Sequence, residues 1–143
     1  MKRTIIAAFV LIIAILPLTA YGQDKISVAV TESFMPAFKE IAADFENRTG
    51  MKIEAAYAST GKLYRQIKKG APYDMFLAED EAFPARLQKD KWTQGTFIYA
   101  RDKGLVHHGC ILKKAKKPQD AEIFMFYLLC EHAVKIRNKH GYQ

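Results

Sequence analysis

The chain has 143 residues, with 22 Lys+Arg against 15 Asp+Glu and a formal net charge of +7. Half of it is apolar and 12% is aromatic. That excludes a disordered or low-complexity chain, which lacks the apolar surface needed to offset ordering entropy, and the length leaves room for one ordinary domain.

The first segment reads apart from the fold. Lys2 and Arg3 form a short cationic start, Thr4–Thr19 is a nearly unbroken apolar run containing Pro17, and Ala20-Tyr21-Gly22 puts small residues at both key positions of a cleavage site. This is the layout of a secretory signal peptide spanning 1–22, cut after Gly22. The run is shorter than the roughly 20 residues that span a bilayer, which disfavours an uncleaved anchor. No Cys lies near the cut to carry a lipid. The mature chain, 23–143, then carries 20 basic and 15 acidic residues.

Lys25–Val30 is a β-branched run that alternates well enough for a strand. Ser33 starts a helix in which Phe34, Phe38, Ile41, Ala42 and Phe45 share one face. Pro36 falls in its first turn, where a missing N–H breaks no intrahelical bond, and Gly50 closes it. Ile53, Ala55 and Tyr57 alternate as a second strand. Ser59 or Thr60 caps a second helix, with Leu63, Tyr64 and Ile67 on its apolar face and Gly70 at its end. Tyr73–Ala78 reads as a third strand, and Asp80 caps a third helix containing Phe83 and Leu87. Thr96–Ala100 is a fourth strand and Cys110–Leu112 a short fifth, with residues 101–109 between them polar and poorly patterned. Asp120–Leu129 and Ala133–Lys139 are closing helices, ended by Gly141. Strand and helix alternate three times with short connections. The expected class is therefore α/β, a single lobe with a mostly parallel sheet flanked by helices.

The densest charge run, Lys113, Lys114, Lys116 and Lys117, reads as a solvated turn before a helix. Nucleic acid and anionic lipid are the other readings, and no aromatic residue interleaves the run to stack on bases. Cys110 and Cys130 fit a disulfide in an oxidising compartment, and Cys130 fits equally well as a small buried hydrophobe at the end of Phe124–Leu129. His107-His108-x-Cys110 matches no common zinc spacing, and neighbours on a strand point to opposite faces. There is no Gly-x-Ser-x-Gly, HExxH or phosphate-cradling loop, so no motif argues for an enzyme and no catalytic residue is assigned.

Ligands of open α/β sheets sit beyond the carboxyl ends of the strands. Two such ends run straight into hydroxyl-bearing helix starts: Thr31-Glu32-Ser33, and Ala58-Ser59-Thr60-Gly61. A helix start offers unpaired N–H groups and about half a positive charge, and two aimed at one point would hold an oxyanion without a formal cation. Ser and Thr also serve as ordinary caps in most proteins, so the pattern alone leaves both readings open.

The segment KISVAVTESFMPAFKEIAADFENRTG, Lys25–Gly50, resembles the start of the mature molybdate-binding protein of bacterial ABC importers. So does YASTGKLYRQIKKGAPYDMFLAED, Tyr57–Asp80, whose Ala-Ser-Thr-Gly-Lys-Leu-x-x-Gln-Ile and Gly-Ala-Pro-x-Asp-x-Phe-x-Ala patterns are specific at this spacing. TFIYAR, Thr96–Arg101, is similar to the family's strand towards its hinge, and Ala121–Tyr142 to its closing helices and final Lys-x-Gly-Tyr. The resemblance implies a type II periplasmic binding protein that is exported to the periplasm. It captures molybdate or tungstate and delivers it to an ABC permease in the inner membrane. It also implies no resident cofactor, molybdenum entering only as an oxyanion, and no nucleic-acid partner. By position the ligand residues are Ser33, Ser59 and Thr60, with Thr31 and Gly61 beside them, and Thr60 is the expected side-chain donor.

Two departures stand out. Glu32 lies where the family usually has a small residue, and a carboxylate about 4 Å from a dianion repels it by several kcal/mol at an effective dielectric near 20. It must point away or be offset by Lys62 or Arg65. The family's chain is also much longer. Here the sequence passes almost directly from Arg101–Val106 into the closing segment from Cys110, so the second lobe is expected to be missing near residues 102–112. A homodimer is one way to supply the absent wall. A transport-inactive interaction or remnant protein of the same fold is the alternative.

Overall fold

The computed structural model describes residues 25–143, and the signal-peptide reading of 1–22 lies outside them. The elements are β1 (Lys25–Thr31), α1 (Met35–Thr49) after a 3-10 turn at Glu32–Phe34, β2 (Lys52–Ala58), α2 (Thr60–Lys68), β3 (Met75–Leu77), α3 (Ala82–Lys89), β4 (Phe97–Asp102), β5 (Leu105–Ile111), α4 (Pro118–Leu129) and α5 (Glu131–Lys139). They form one sheet of order β2-β1-β3-β5-β4. β1 pairs in parallel with β2 and β3, while β5 is antiparallel to both β3 and β4. Four of the five strands therefore share one direction, as the alternation of strand and helix predicts, with β5 reversed among them.

Helices cover both faces. On one, α1, α4 and α5 pack Phe34, Phe38, Ile41, Phe45, Phe124 and Leu128 against Val28, Val30, Met75 and Leu77. On the other, Leu63, Ile67 and Leu87 of α2 and α3 cover Ala29, Phe76 and Cys110. The apolar stripe of α1 is the one read from its spacing, and Gly50 ends that helix at φ 74°, a conformation that costs a glycine little. Cys110 and Cys130 pack against opposite layers, so the sheet separates them and both are free thiols. Burial pushes the Cys110 thiol up to about 12, which leaves it unreactive at neutral pH.

The largest correction concerns β5. In place of a short strand at Cys110–Leu112 there is a seven-residue strand, Leu105–Ile111. Its buried residues include His107, His108 and Gly109, so the inward positions do not read as apolar. At Gly109 a side chain would meet Phe97 Cζ at 2.6 Å and Leu77 Cδ2 at 2.7 Å, so the glycine lets β4 and β3 close on β5. The register is pinned by the two-residue turn Lys103-Gly104, whose φ angles of 43° and 84° are those of a type I′ hairpin. Smaller differences are a 3-10 turn rather than α-helix at Ser33, a third strand limited to Met75–Leu77, and a last helix that begins at Glu131. Asp80 caps α3 as expected, accepting the Ala82 N–H at 2.8 Å.

At the amino end of the sheet, Asp74 is 2% exposed. Its carboxylate accepts the backbone N–H of Ser27 at 2.8 Å, of Lys116 at 2.7 Å and of Lys117 at 3.1 Å. Its own N–H donates to the Ser27 carbonyl and its carbonyl accepts the Leu112 N–H. One side chain thus joins the start of β1, the start of β3 and the loop that leads into α4. Asp74→Ala would leave three part-buried backbone donors without their carboxylate acceptor, each bond contributing about 1 kcal/mol or more. The expected loss of folding stability is about 3 kcal/mol or more, read from the midpoint of urea unfolding.

Candidate ligand site at the strand ends

β1 ends at Thr31, β2 leads through Ser59 into α2, and β3 leads into Ala78-Glu79. Thr60, the first residue of α2, is buried. Its hydroxyl donates to Thr31 Oγ1 at 3.2 Å and accepts the Glu79 N–H at 3.2 Å. The expectation that Thr60 points a free donor at a guest is therefore corrected: the hydroxyl turns inward and knots the ends of β1, α2 and β3 together. Two hydroxyls sharing one hydrogen bond still leave one proton over, so the Thr31–Thr60 pair retains one donor.

Ser33 and Ser59 are both exposed. Ser59 occupies the N-cap of α2, yet its side chain makes no cap bond, and the 3-10 turn that carries Ser33 has no side-chain cap either. The first N–H groups at both starts are donors of the kind that hold small anions. Gly61 follows Thr60, and a methyl there would meet Phe83 only at an ordinary 3.5 Å, so packing does not require the glycine. Glu32 is exposed, and neither Lys62 nor Arg65 pairs with it among the described ion pairs.

Beside this knot lies a polar-aromatic wall. Tyr142 donates to the Ser33 carbonyl at 2.7 Å, and its ring meets Phe34 edge-on at 4.9 Å and His107 at 5.4 Å. Tyr99 donates to the Ala78 carbonyl at 3.0 Å. His107 Nε2 lies 2.9 Å from Asp102 Oδ1, and its buried Nδ1 has no hydrogen-bond partner. Tyr142 carried a sequence signal in the closing Lys-x-Gly-Tyr. Tyr99 lay in the expected strand Thr96–Ala100 and His107 in the His107-His108-x-Cys110 cluster, but nothing joined them to this site, and Asp102 carried no signal, because 101–109 showed no periodicity. Burial holds the Tyr99 phenol well above the usual tyrosine range and raises that of Tyr142, with Glu79 and Asp102 close enough to add to both shifts. The wall is thus acidic on its flanks and neutral where the two helix starts meet.

The model of the bacterial extracellular solute-binding protein family matches residues 26–106, more than half of the chain, and the chain belongs to that family. It is 40% identical over 78 residues to the molybdate-binding protein ModA of Azotobacter vinelandii, a stretch covering 53% of this chain and 31% of that protein. The ModA of Rhodobacter capsulatus is 32% identical over 78 residues, with the same shares. The chain spans about a third of the length of these curated relatives. In structure it resembles the periplasmic molybdate-binding protein of A. vinelandii, with a TM-score of 0.78 at 16% identity, covering 83% of this chain and 99% of that one. Peb3 from Campylobacter jejuni gives 0.59 at 10% identity, covering 83% and 99%. At these identities the structural likeness defines the fold.

Tyr99 and Tyr142 make the fold sensitive to alkali. Their protons are held more tightly in the folded chain than in the unfolded one, so their contribution is intact below about pH 10, the ordinary tyrosine range, and is lost as pH rises through the folded values. Urea midpoints measured from pH 8 to 11 should fall above pH 10. Tyr142→Phe should flatten that fall and cost about 1 kcal/mol at pH 8 through the lost bond to Ser33.

Proposed function

We propose that the chain is the solute-binding component of an ABC importer for molybdate or tungstate, working in the periplasm with a permease of the inner membrane. The observation that carries the reading is the 3.2 Å contact between the Thr60 and Thr31 hydroxyls, which draws two uncapped helix starts to one point at the carboxyl ends of the strands. The oxyanion is held by backbone N–H groups of the two starts, by Ser33, and by the one proton left over from the Thr31–Thr60 pair. Ser59 and Gly61 shape the second start. No resident cofactor and no catalytic step belong to this reading; molybdenum enters only as cargo. The names of the relatives support this solute class and this compartment.

The affinity follows from the size of the lobe. A hydrogen bond to a charged group contributes about 1.5–3 kcal/mol, so a site lacking two or three donors from an opposite wall loses about 3–9 kcal/mol. A micromolar site near −8 kcal/mol then falls to millimolar or weaker. The acidic flank formed by Glu32, Glu79 and Asp102 weakens it further.

A second reading has its own support. β4 and β5 are joined by two residues, Lys103 and Gly104, so the lobe closes on itself where the resemblance expects a long excursion. Leu105 at that turn is an exposed apolar side chain. In this reading a second lobe is absent near 102–112 and the chain is a transport-inactive interaction protein, unless a homodimer supplies the missing wall.

Isothermal titration and thermal shift with molybdate, tungstate and sulfate, with mass from light scattering, test both. Millimolar binding of molybdate or tungstate, weakened at least tenfold by Thr60→Val, is expected. Tighter binding by a dimer would assign the second wall to a partner copy. A monomer that shows neither heat nor shift at millimolar molybdate would overturn the oxyanion reading and leave the interaction protein.

A further inference from the structure

At the other end of the sheet the structure assembles a surface that the sequence order conceals. Trp92 follows α3 and is half-buried, and Lys68 Nζ lies 4.6 Å and Lys114 Nζ 5.1 Å from its ring centroid. The backbone holds this arrangement: Trp92 N–H donates to the Leu87 carbonyl and its carbonyl accepts the Lys113 N–H. Lys68 and Lys69 end α2 and Lys89 ends α3, so the partial negative charge of two helix ends favours cations here. With Lys91, Lys113, Lys114, Lys116 and Lys117, eight lysines gather at this end. They face Asp90, paired with Lys68 at 3.0 Å, Asp120, paired with Lys117 at 3.9 Å, Glu122 across a groove from Lys113, and the buried Asp74, whose oxygens are taken by backbone N–H groups. The other twelve basic residues of 25–143 are nearly matched by ten acidic ones, so most of the positive excess of the described residues sits on this face.

We infer that this lysine–tryptophan face docks on the anionic surface of a lipid bilayer. Two observations select that occupant. The charge is complementary to anionic headgroups, which attract clustered lysines at short range. A tryptophan between lysine stems is suited to the bilayer interface, where an apolar ring and its polar edge are both accommodated. A nucleic acid is the poorer occupant for a chain whose first segment reads as an export signal, since exported proteins rarely meet nucleic acid. The inference does not use the strand-end site and stands apart from the oxyanion reading.

Trp92 is the single tryptophan of the chain, so its fluorescence reports on this face directly. The mature chain, 23–143, is titrated with phosphatidylglycerol vesicles and with phosphatidylcholine vesicles, following emission and co-sedimentation. Expected are a blue shift and binding with the anionic vesicles alone, both reduced by 0.5 M salt. The triple variant Lys68→Gln, Lys113→Gln, Lys114→Gln, checked for an unchanged circular dichroism spectrum and unfolding midpoint, should bind about 100-fold more weakly. Equal binding to both vesicles, sedimentation without a shift of Trp92, or a variant that binds like the parent would overturn the proposal. So would a single-stranded oligonucleotide that shifts Trp92 while anionic vesicles do not.

Discussion

The carboxylate of Asp74 is the constraint from which the rest of the lobe is built. It receives three backbone N–H groups at the amino end of the sheet, and so fixes where β1 starts, where β3 starts, and how the chain turns from β5 towards α4. The parallel register of β1 with β2 and with β3 carries that alignment along the strands to Thr31, Ala58 and Leu77. The convergence of two helix starts at the carboxyl ends is therefore set from the opposite end of the molecule. A slip of one residue in β1 would turn Val28 and Val30 from one layer to the other and carry Thr31 away from Thr60.

The strand ends show a compromise between folding and binding. A buried threonine hydroxyl must be satisfied, and Thr60 finds its partners within the protein, in Thr31 and the Glu79 N–H. That contact draws the two helix starts together, and it also withdraws the side chain that looked best placed to hold a guest. What is left for an anion is mainly backbone N–H, with the exposed hydroxyl of Ser33 at the edge. Backbone donors do not discriminate strongly among tetrahedral oxyanions of like charge, so selectivity has to come from the size and rigidity of the surroundings. Here the rigid element is the ring cluster of Phe34, Tyr99, His107 and Tyr142, on one side alone.

Much of this was legible from residue order. The face of α1 follows from the spacing of five residues, its end from Gly50, and the direction of four strands from the alternation of strand with helix. The location of the candidate site at two strand-to-helix junctions was legible too, because those junctions are local in sequence. What escaped depends on pairing across distance. β5 buries two histidines and a glycine; His107 is met by Asp102 and by the Tyr142 ring, and Gly109 allows close backbone approach, none of which gives an apolar pattern. The inward turn of Thr60 depends on Glu79, nineteen residues away. The lysine run at 113–117 has no aromatic neighbour in adjacent sequence; Trp92 reaches it through the bridge of Thr93 with Leu112.

The two ends of the sheet impose opposite electrostatics on one small body, and this constrains how the two proposed activities combine. Carboxylates flank the strand ends, while the amino end carries most of the excess cations. A bilayer of anionic headgroups orients such a dipolar lobe with its amino end down, and the effect reaches little beyond a Debye length of about 8 Å at physiological salt. In that pose the two helix starts face the bulk solution, the orientation suited to capturing an oxyanion. Handing it to a permease in the same membrane requires the strand ends to turn towards the bilayer. Delivery therefore competes with the lysine contacts, and a surface interaction weak enough to break and re-form is the one compatible with both roles.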